Sequence, residues 1–152
     1  MMDDIKYTMA GSKELMRKLG RLDATLRGPI VNQALTAGAQ VVKQQAILLL
    51  MSGTQTGEWY KRGNVWHHAS APGEPPASDT GHLAGSLSIY SINRETVAVE
   101  VGAEYGKFLE SEYGTSRMEP RPFMRPAVYN NIPRIEAAIN HQLLRGIREA
   151  VR

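Results

Sequence analysis

The sequence predicts an α+β fold in one domain over residues 1–152, with long N-terminal helices on a small antiparallel sheet and a C-terminal helix. Three observations predict this fold. Apolar residues recur every three or four positions near both ends of the chain, and two short runs of alternating apolar residues lie between them. A stretch rich in proline and glycine, at about residues 60–81, shows neither period and is predicted to be an extended loop arm.

Two helices are predicted before the arm. Residues 12–26 carry a leucine stripe, and Gly28-Pro29 breaks that pattern. Pro29 suits the first turn of a second helix that ends at about Met51. Only Lys43 is charged in its interior, so this helix is expected to be buried on more than one side, either in a monomeric core or partly against a neighbouring subunit.

Two strands are predicted after the arm. Alternation marks Leu83–Ile89 and Thr96–Val101, and Asn93-Arg94-Glu95 is the turn that makes them an antiparallel hairpin. A two-stranded hairpin is only marginally stable alone, so it is expected to pack on the long helix. Ile5–Met9 is a candidate for a further strand.

The C-terminal third is predicted from three patterns. Tyr105, Phe108 and Leu109 fit one face of a short helix, and the three prolines of Pro120–Pro126 argue against a regular helix there. From Pro133 to about Val151 a last helix is expected, because four aliphatic residues recur at four-residue spacing: Ile135, Ile139, Leu143 and Ile147.

Composition excludes several classes of function. The chain has no cysteine, which removes disulfides, thiolate catalysis and cysteine-ligated zinc. The first residues, Met-Met-Asp-Asp-Ile-Lys, lack the apolar core of a signal peptide. The longest strongly apolar run, Ala46–Met51, is too short to span a bilayer, so no membrane partner is expected.

Charge is segregated along the chain. Residues 1–62 carry 9 Lys/Arg and 5 Asp/Glu, residues 63–112 carry 2 and 7, and residues 113–152 carry 7 and 3, which gives net charges of +4, −5 and +4. This pattern fits contact between basic and acidic faces of two copies at least as well as nucleic-acid binding, because no basic run reaches five residues.

Neither an active site nor a metal or cofactor site is predicted. Asp79-Thr80-Gly81 matches the aspartic-protease tripeptide, but Pro75-Pro76-Ala77-Ser78 precedes it where those enzymes have an apolar strand, so a turn leading into a strand is the better interpretation. His67, His68 and His82 lack both a metal-ligand spacing and an acidic cluster. A hydrolase that uses Asp79 or these histidines stays a weak alternative.

Aromatic residues flank the start of the arm. Trp59, Tyr60 and Trp66 accompany four basic or histidine residues: Lys61, Arg62, His67 and His68. Such a set stacks on single-stranded nucleic acid in some proteins and anchors protein interfaces in others. We favour the interface, because both tryptophans lie where the chain has little local means of burying them. A nucleic-acid-binding module that uses Trp59–His68 and the C-terminal arginines is the alternative.

Several short motifs, in a fixed order, resemble one protein family. These are Ala71–Ala77 (Ala-Pro-Gly-Glu-Pro-Pro-Ala), Asp79–Leu83, Phe108–Thr115 with Glu112-Tyr113-Gly114-Thr115 inside it, and Arg121–Ala127 (Arg-Pro-Phe-Met-Arg-Pro-Ala). Together they resemble the neck and tail-completion proteins of long-tailed bacteriophages and prophages, also called minor tail components, over about residues 10–150.

The resemblance implies a virion protein assembled in the bacterial cytoplasm, without catalysis or cofactor. It implies a ring of copies, commonly six, at the joint between the head-closure or connector protein and the tail tube protein, with double-stranded DNA passing through the centre without sequence-specific binding. In such a ring, one face of each copy contacts a different face of the next copy. The residues expected at contacts with neighbours are Trp59, Tyr60, Trp66, Pro72, Glu74, Pro75, Pro76, Glu112, Arg121, Phe123 and Arg125.

Three of these expected contact residues have local alternatives. Phe123 suits a partner's pocket or packing on its own C-terminal helix. Arg121 and Arg125 suit ion pairs with Glu110 or Glu112 of the same chain or with the acidic middle segment of the next copy.

Overall fold

The computed structural model describes Arg17, Gly20 and residues 24–77, 80–111, 115–116 and 119–150. The candidate strand Ile5–Met9 lies outside these residues, as does most of the helix predicted over residues 12–26. The described elements, in chain order, are α1 (Ala24–Ser52), β1 (Trp59–Arg62), β2 (Val65–His68), α2 (His82–Gly85), β3 (Leu87–Asn93), β4 (Thr96–Val101), α3 (Gly106–Glu110), α4 (Met124–Tyr129) and α5 (Ile132–Ala150).

The predicted fold class is confirmed. A long helix near the N-terminus, two small antiparallel sheets and a C-terminal helix make up an α+β fold. Each sheet has two strands, one formed by β1 and β2 and the other by β3 and β4. The β3–β4 hairpin, α4 and α5 all pack on α1, which is the central element of the described chain.

Helix α1 begins five residues before the predicted start. Pro29 lies at its sixth position rather than in its first turn, so the Gly28-Pro29 pair does not separate two helices here. A proline so close to the start removes only one internal hydrogen bond, the one to the carbonyl of Thr25. The helix ends at Ser52, one residue after the predicted end, where the Ser52 hydroxyl donates to the Leu48 carbonyl at 2.6 Å.

The buried residues of α1 recur at every fourth position: Ile30, Ala34, Gly38, Val42, Ala46 and Leu50. An α-helix turns by about 100° per residue, so a stripe with this spacing advances by about 40° at each step and winds around the helix. Its first part packs with Leu143 of α5, and its last part packs in a cluster with Leu83, Leu87, Leu109 and Phe123. The expectation that α1 is buried on more than one side is therefore met within a single chain.

Helix α5 occupies nearly the predicted range, and its aliphatic stripe faces α1. Ile135 and Leu143 are buried, and Ile139 and Ile147 are partly buried. The two helices approach closely because glycine stands at two contact points. A Cβ at Gly38 would lie 2.7 Å from Cγ1 of Ile139, and a Cβ at Gly146 would lie 2.8 Å from Cγ2 of Ile30.

The strand predicted over Leu83–Ile89 is wrong at its start. Residues 82–85 form one helical turn, and β3 begins only at Leu87. The buried residues Leu83 and Leu87 are four apart, so they fit a helical turn that leads into a strand. Gly81 has a φ of 72°, which sets the chain direction for that turn, and the Gly85 amide donates to its carbonyl at 2.8 Å.

Strand β4 has the predicted bounds, and the two-residue turn Arg94-Glu95 joins it to β3. A bulge between Ser91 and Asn93 leaves Ile92 out of the ladder. Asn32 of α1 holds the end of this hairpin, because its side-chain amide donates to the Asn93 carbonyl at 3.0 Å and its amide oxygen accepts from the Ser91 hydroxyl at 2.9 Å.

Two predictions for the C-terminal third are corrected. Leu109 of α3 is buried, while Phe108 and the preceding Tyr105 are exposed, so these three residues do not share a buried face. Helix α4 begins inside the proline-rich segment, at Met124. Pro126 is its third residue, a position whose N–H needs no partner within the helix.

Candidate interaction surface

The first part of the predicted loop arm belongs to a β-hairpin, so the prediction of an extended loop is wrong there. Strands β1 and β2 pair from Trp59 opposite His68 to Arg62 opposite Val65. Gly63-Asn64 forms the turn, with φ positive at Gly63 (62°) and not at Asn64, as in a type II′ turn. We call residues 59–68 the aromatic hairpin.

The aromatic hairpin exposes large side chains on both faces. Trp59, Lys61, Trp66 and His68 share one face by strand alternation and register. Trp59 and Trp66 are 62% and 61% exposed, and Tyr60 and Val65 of the other face are also exposed. Because so few of its side chains are buried, the hairpin depends on its own cross-strand pairs and on its base for order.

Histidines supply the cross-strand ring contacts. The rings of Trp59 and His68 stack with centroids 4.4 Å apart and planes 6° apart, and those of Tyr60 and His67 stack at 5.5 Å. Such pairs contribute about 0.5–1.5 kcal/mol each beyond the area they bury. The two histidines therefore have a structural task on the hairpin, which accounts for their position opposite the aromatic residues.

Backbone pairing continues below the strands. The Gly57 amide donates to the Ala69 carbonyl at 2.9 Å, the Ala69 amide donates to the Glu58 carbonyl at 3.0 Å, and the His68 ring N–H donates to the Gly57 carbonyl at 3.0 Å. The two chains are so close here that a Cβ at Gly57 would lie 2.6 Å from the Ser70 carbonyl oxygen. Glycine at position 57 permits this approach.

Glu74 closes the base of the aromatic hairpin. Its carboxylate accepts hydrogen bonds from the Thr56 hydroxyl at 2.6 Å, from the Thr56 amide at 3.1 Å and from the Ala71 amide at 2.8 Å. The hydrogen bond from the Thr56 hydroxyl, followed by those from the Ala71 and Thr56 amides, lowers the pKa of Glu74 below its ordinary value of 4.5. Glu74, which is expected at a subunit contact, thus has Thr56 of its own chain as a partner, and no sequence pattern indicates this pair.

The motif Ala71–Ala77 folds as a turn that presents Glu74 to this base. The Glu74 amide donates to the Ala71 carbonyl at 3.1 Å, and Gly73 has a φ of 83°, as expected for a type II turn with Pro72 and Gly73 at its centre. The Gly73 amide donates to the Pro120 carbonyl at 3.0 Å, which ties the turn to the segment before α4. Pro72 is exposed, Pro75 is half-buried and Pro76 is buried.

Glu110 holds the motif Arg121–Ala127. Its carboxylate accepts from the amides of Phe123 at 2.6 Å, Met124 at 2.5 Å and Arg125 at 3.4 Å, so it caps the start of α4 from a distant part of the sequence. The Arg121 amide donates to the Leu109 carbonyl at 3.0 Å. Glu110 thus binds backbone N–H groups at this site, whereas the sequence suggested a partner for arginine side chains.

Two open clefts border the aromatic hairpin. The larger one has a volume of about 480 Å³, and we call it the groove. The smaller one, of about 260 Å³, is lined mainly by the hairpin's own aromatic rings, and Ala77 borders both. The groove lies between the end of α1, α2, α3 and the last residues of the arm, and its lining includes Leu50, Pro76, Leu83, Ala84, Tyr105 and Leu109.

The expected contact residues do not form one surface. Trp59, Tyr60 and Trp66 are exposed together on the aromatic hairpin. Phe123 is fully buried in its own chain among core residues that include Ile135 of α5, so it does not reach a partner, and its alternative role in the chain's own core holds. Arg121 and Arg125 are half-buried, and Glu112 lies outside the described residues.

The remaining candidate residues are the histidines and the tripeptide Asp79-Thr80-Gly81. Within the described residues, no three His, Asp or Glu side chains come together as a possible metal site. Thr80 and Gly81 lead into helix α2 rather than into the predicted strand, and Asp79 lies outside the described residues. The His82 ring lies beside that of Tyr105 with centroids 6.3 Å apart.

Within the described part of the chain, one helix, over Leu26–Ser52, is long and apolar enough to cross a membrane by length and composition. One such helix is weak evidence, because the core helix of a soluble protein meets the same criterion. Here this segment packs against α5, α4 and the β3–β4 hairpin. The run Ala46–Met51, from whose short length no membrane partner is expected, lies within this longer apolar helix.

Comparison with known proteins found no match for this chain among protein-family models, curated proteins or solved structures.

Proposed function

We propose that the chain is a structural subunit of a long-tailed bacteriophage particle, which completes the tail and joins it to the capsid connector as a ring around the DNA channel. The order of the four sequence motifs suggests the family. The observation that carries the proposal is the exposed aromatic hairpin on a base closed by Glu74, because a subunit that works by contact needs exposed anchors in a fixed conformation.

The local roles of the motif residues support a structural task. Glu74 of the first motif closes the base of the aromatic hairpin, and the segment Arg121–Ala127 is held by Glu110 through three backbone amides. Phe123 of the same segment fills the core. These residues build the scaffold from which the hairpin is presented, and none of the contacts requires a substrate or a cofactor.

The test is deletion of the reading frame from the phage or prophage that encodes it. We expect DNA-filled heads and separate tails by electron microscopy, and restored particles when the wild-type protein is added to the extract. Mass spectrometry of purified wild-type particles should detect the chain. Normal, infectious particles without the protein would contradict the proposal.

A nucleic-acid-binding role is the second candidate, favoured by the exposed Lys61 and Arg62 beside three exposed aromatic rings. It predicts that the affinity for labelled single-stranded or duplex DNA falls steeply with salt, and that Lys61→Ala reduces the salt dependence. Two of the three rings already stack on histidines, which leaves Trp66 as the ring best placed to contact a base. Salt-insensitive or absent DNA binding in fluorescence anisotropy would exclude this role.

A further inference from the structure

The structure contains an exposed indole and an open groove that do not fill each other. Trp66 lies opposite Lys61 on the face that also carries Trp59, and it is 61% exposed. Within the described part of the chain, Trp66 takes part in none of the ring-stacking contacts made by Trp59, Tyr60 and His82. It is absent from the groove of its own chain, to which the hairpin contributes only Arg62.

The groove has the properties of a socket for one aromatic side chain. Its volume of about 480 Å³ lies within the range of small-ligand sites. Its floor is apolar, because Leu50, Leu83 and Leu109 are buried members of the main core cluster. Tyr105 is exposed at its rim and offers a ring face to an incoming indole.

We propose that the face of the aromatic hairpin that carries Trp66 docks in the groove of a second copy of this chain. This inference rests on the proposed function, and it names the two surfaces that would join neighbouring copies in the ring. The contact is heterologous, because the hairpin of one copy meets the groove of the next. A pair of copies thus keeps one unused hairpin and one unused groove for further neighbours.

Exposed area and charge favour a second copy as the occupant. Trp59 and Trp66, at 62% and 61% exposed, leave roughly 300 Å² of indole surface in water. That is more than a third of the about 800 Å² that one partner contributes to a standard interface. Lys61 of the docking face can approach the exposed Glu104, which directly precedes the rim residue Tyr105 in the segment of net charge −5, although the groove lining also contains Arg62 and His82.

The hairpin and the groove are held in a fixed relation within each copy. Glu74 closes the base of the hairpin, and Pro76 and Ala77, two and three residues further on, line the groove. The Gly73 amide ties the same turn to Pro120. A fixed relation of this kind sets one angle between successive copies, which is what a closed ring requires.

The test uses two variants with complementary defects. Trp66→Ala removes the docking side chain and leaves the groove intact, whereas His82→Trp fills the groove from its exposed rim and leaves the hairpin intact. Tyr90→Ala, which removes an exposed aromatic residue from the other hairpin, is the matched control. Circular dichroism melts establish that all three fold, and native mass spectrometry over a concentration series measures assembly.

We expect wild type and Tyr90→Ala to assemble alike, and each defective variant to associate about 30-fold more weakly. An equimolar mixture of the two variants should form one-to-one dimers and nothing larger, because only one intact hairpin and one intact groove can meet. Unchanged assembly of Trp66→Ala would overturn the proposal, as would a mixture that stays monomeric while wild type assembles.

Disulfide crosslinking tests the same contact if the wild-type chain is a monomer when it is purified alone. The chain has no cysteine, so Lys61→Cys on the docking face and His82→Cys at the groove rim introduce single thiols. Mixed under oxidising conditions at the highest soluble concentration, they should give a Lys61→Cys/His82→Cys dimer in preference to either homodimer. Statistical amounts of the three dimers would refute the contact.

Failure of this contact can be distinguished from failure of the proposed function. If deletion leaves heads and tails unjoined while Trp66→Ala assembles normally, the function stands and this contact is wrong. If the complementary dimer forms while particles without the protein remain infectious, the contact stands and the virion role is wrong.

Discussion

The hydroxyl of Thr56 donates to the carboxylate of Glu74 at 2.6 Å across 18 residues of sequence. The chain between them contains the aromatic hairpin, and the same carboxylate accepts the Thr56 and Ala71 amides. One side chain thus closes a segment that buries little apolar surface of its own. The order of the hairpin therefore depends on a contact at its base rather than on a core beneath it.

Glu74→Gln should loosen the aromatic hairpin without unfolding the domain. The remaining oxygen of Gln can accept the Thr56 and Ala71 amides, but its NH2 group cannot accept the Thr56 hydroxyl, and the charge that strengthens all three hydrogen bonds is lost. We expect amide hydrogen exchange over residues 57–71 to become faster, while exchange in α1 and α5 stays unchanged. Glu58→Gln, at an exposed carboxylate beside the same hairpin, is the matched control. Equal protection in Glu74→Gln and wild type would contradict the role of Glu74.

The contribution of Glu74 should depend on pH. Its pKa is below the ordinary value of 4.5 in the folded chain, because the Thr56 hydroxyl and the Ala71 and Thr56 amides stabilise the charged form. A depressed folded pKa stabilises the fold above the unfolded pKa, and this stabilisation is lost as the pH falls through the folded value. The melting temperatures of wild type and Glu74→Gln should therefore differ at pH 7, and the difference should shrink as the pH falls below 4.5 and through the lower folded pKa. A difference that is constant over this range would rule out the linkage.

Glu110→Ala should destabilise the whole domain. Its carboxylate accepts three part-buried amides at the start of α4, directly beside the buried Phe123. Loss of the acceptor leaves these donors without a partner, so we expect a cost of about 1–3 kcal/mol in the free energy of unfolding. Urea denaturation measures it, with the exposed Glu119→Ala as control. Equal stability of the two variants would mean that water replaces the carboxylate.

The close contact between α1 and α5 predicts coupling between Gly38 and Ile139. A Cβ at position 38 would lie 2.7 Å from Cγ1 of Ile139. Gly38→Ala gains about 1 kcal/mol of helix propensity and loses about 1–3 kcal/mol to overpacking, so a small net destabilisation is expected. Ile139→Ala should relieve the clash, and the double variant should be more stable than the sum of the single effects predicts. Additive effects in a four-variant denaturation cycle would argue against the contact.

Sequence periodicity predicted the elements that turn one apolar face towards the rest of the chain, because their own residues carry that pattern. Strand β4 alternates along one half-buried face, and α5 carries one aliphatic stripe, so both could be predicted closely. Helix α1 was predicted with the wrong start, because a proline at its sixth position removes only one internal hydrogen bond and does not stop the helix.

The aromatic hairpin was missed because both of its faces are exposed. Without a buried face, Trp59–Arg62 and Val65–His68 show no apolar alternation. The available signal was Gly63-Asn64, a two-residue turn pair between two runs rich in aromatic and β-branched residues. The partners of Glu74 and Glu110 could not be predicted, because no local pattern indicates which distant amide a carboxylate will accept.

The winding stripe of α1 has a consequence for how the domain comes apart. Ile30 and Leu50 face different parts of the molecule, so α1 packs both against α5 and in the cluster around Phe123. A rotation or translation of α1 that opens one of these two packing regions therefore also disrupts the other. Both sides should therefore be lost in a single cooperative step, and neither half of the polypeptide should persist as a folded fragment after proteolysis within α1.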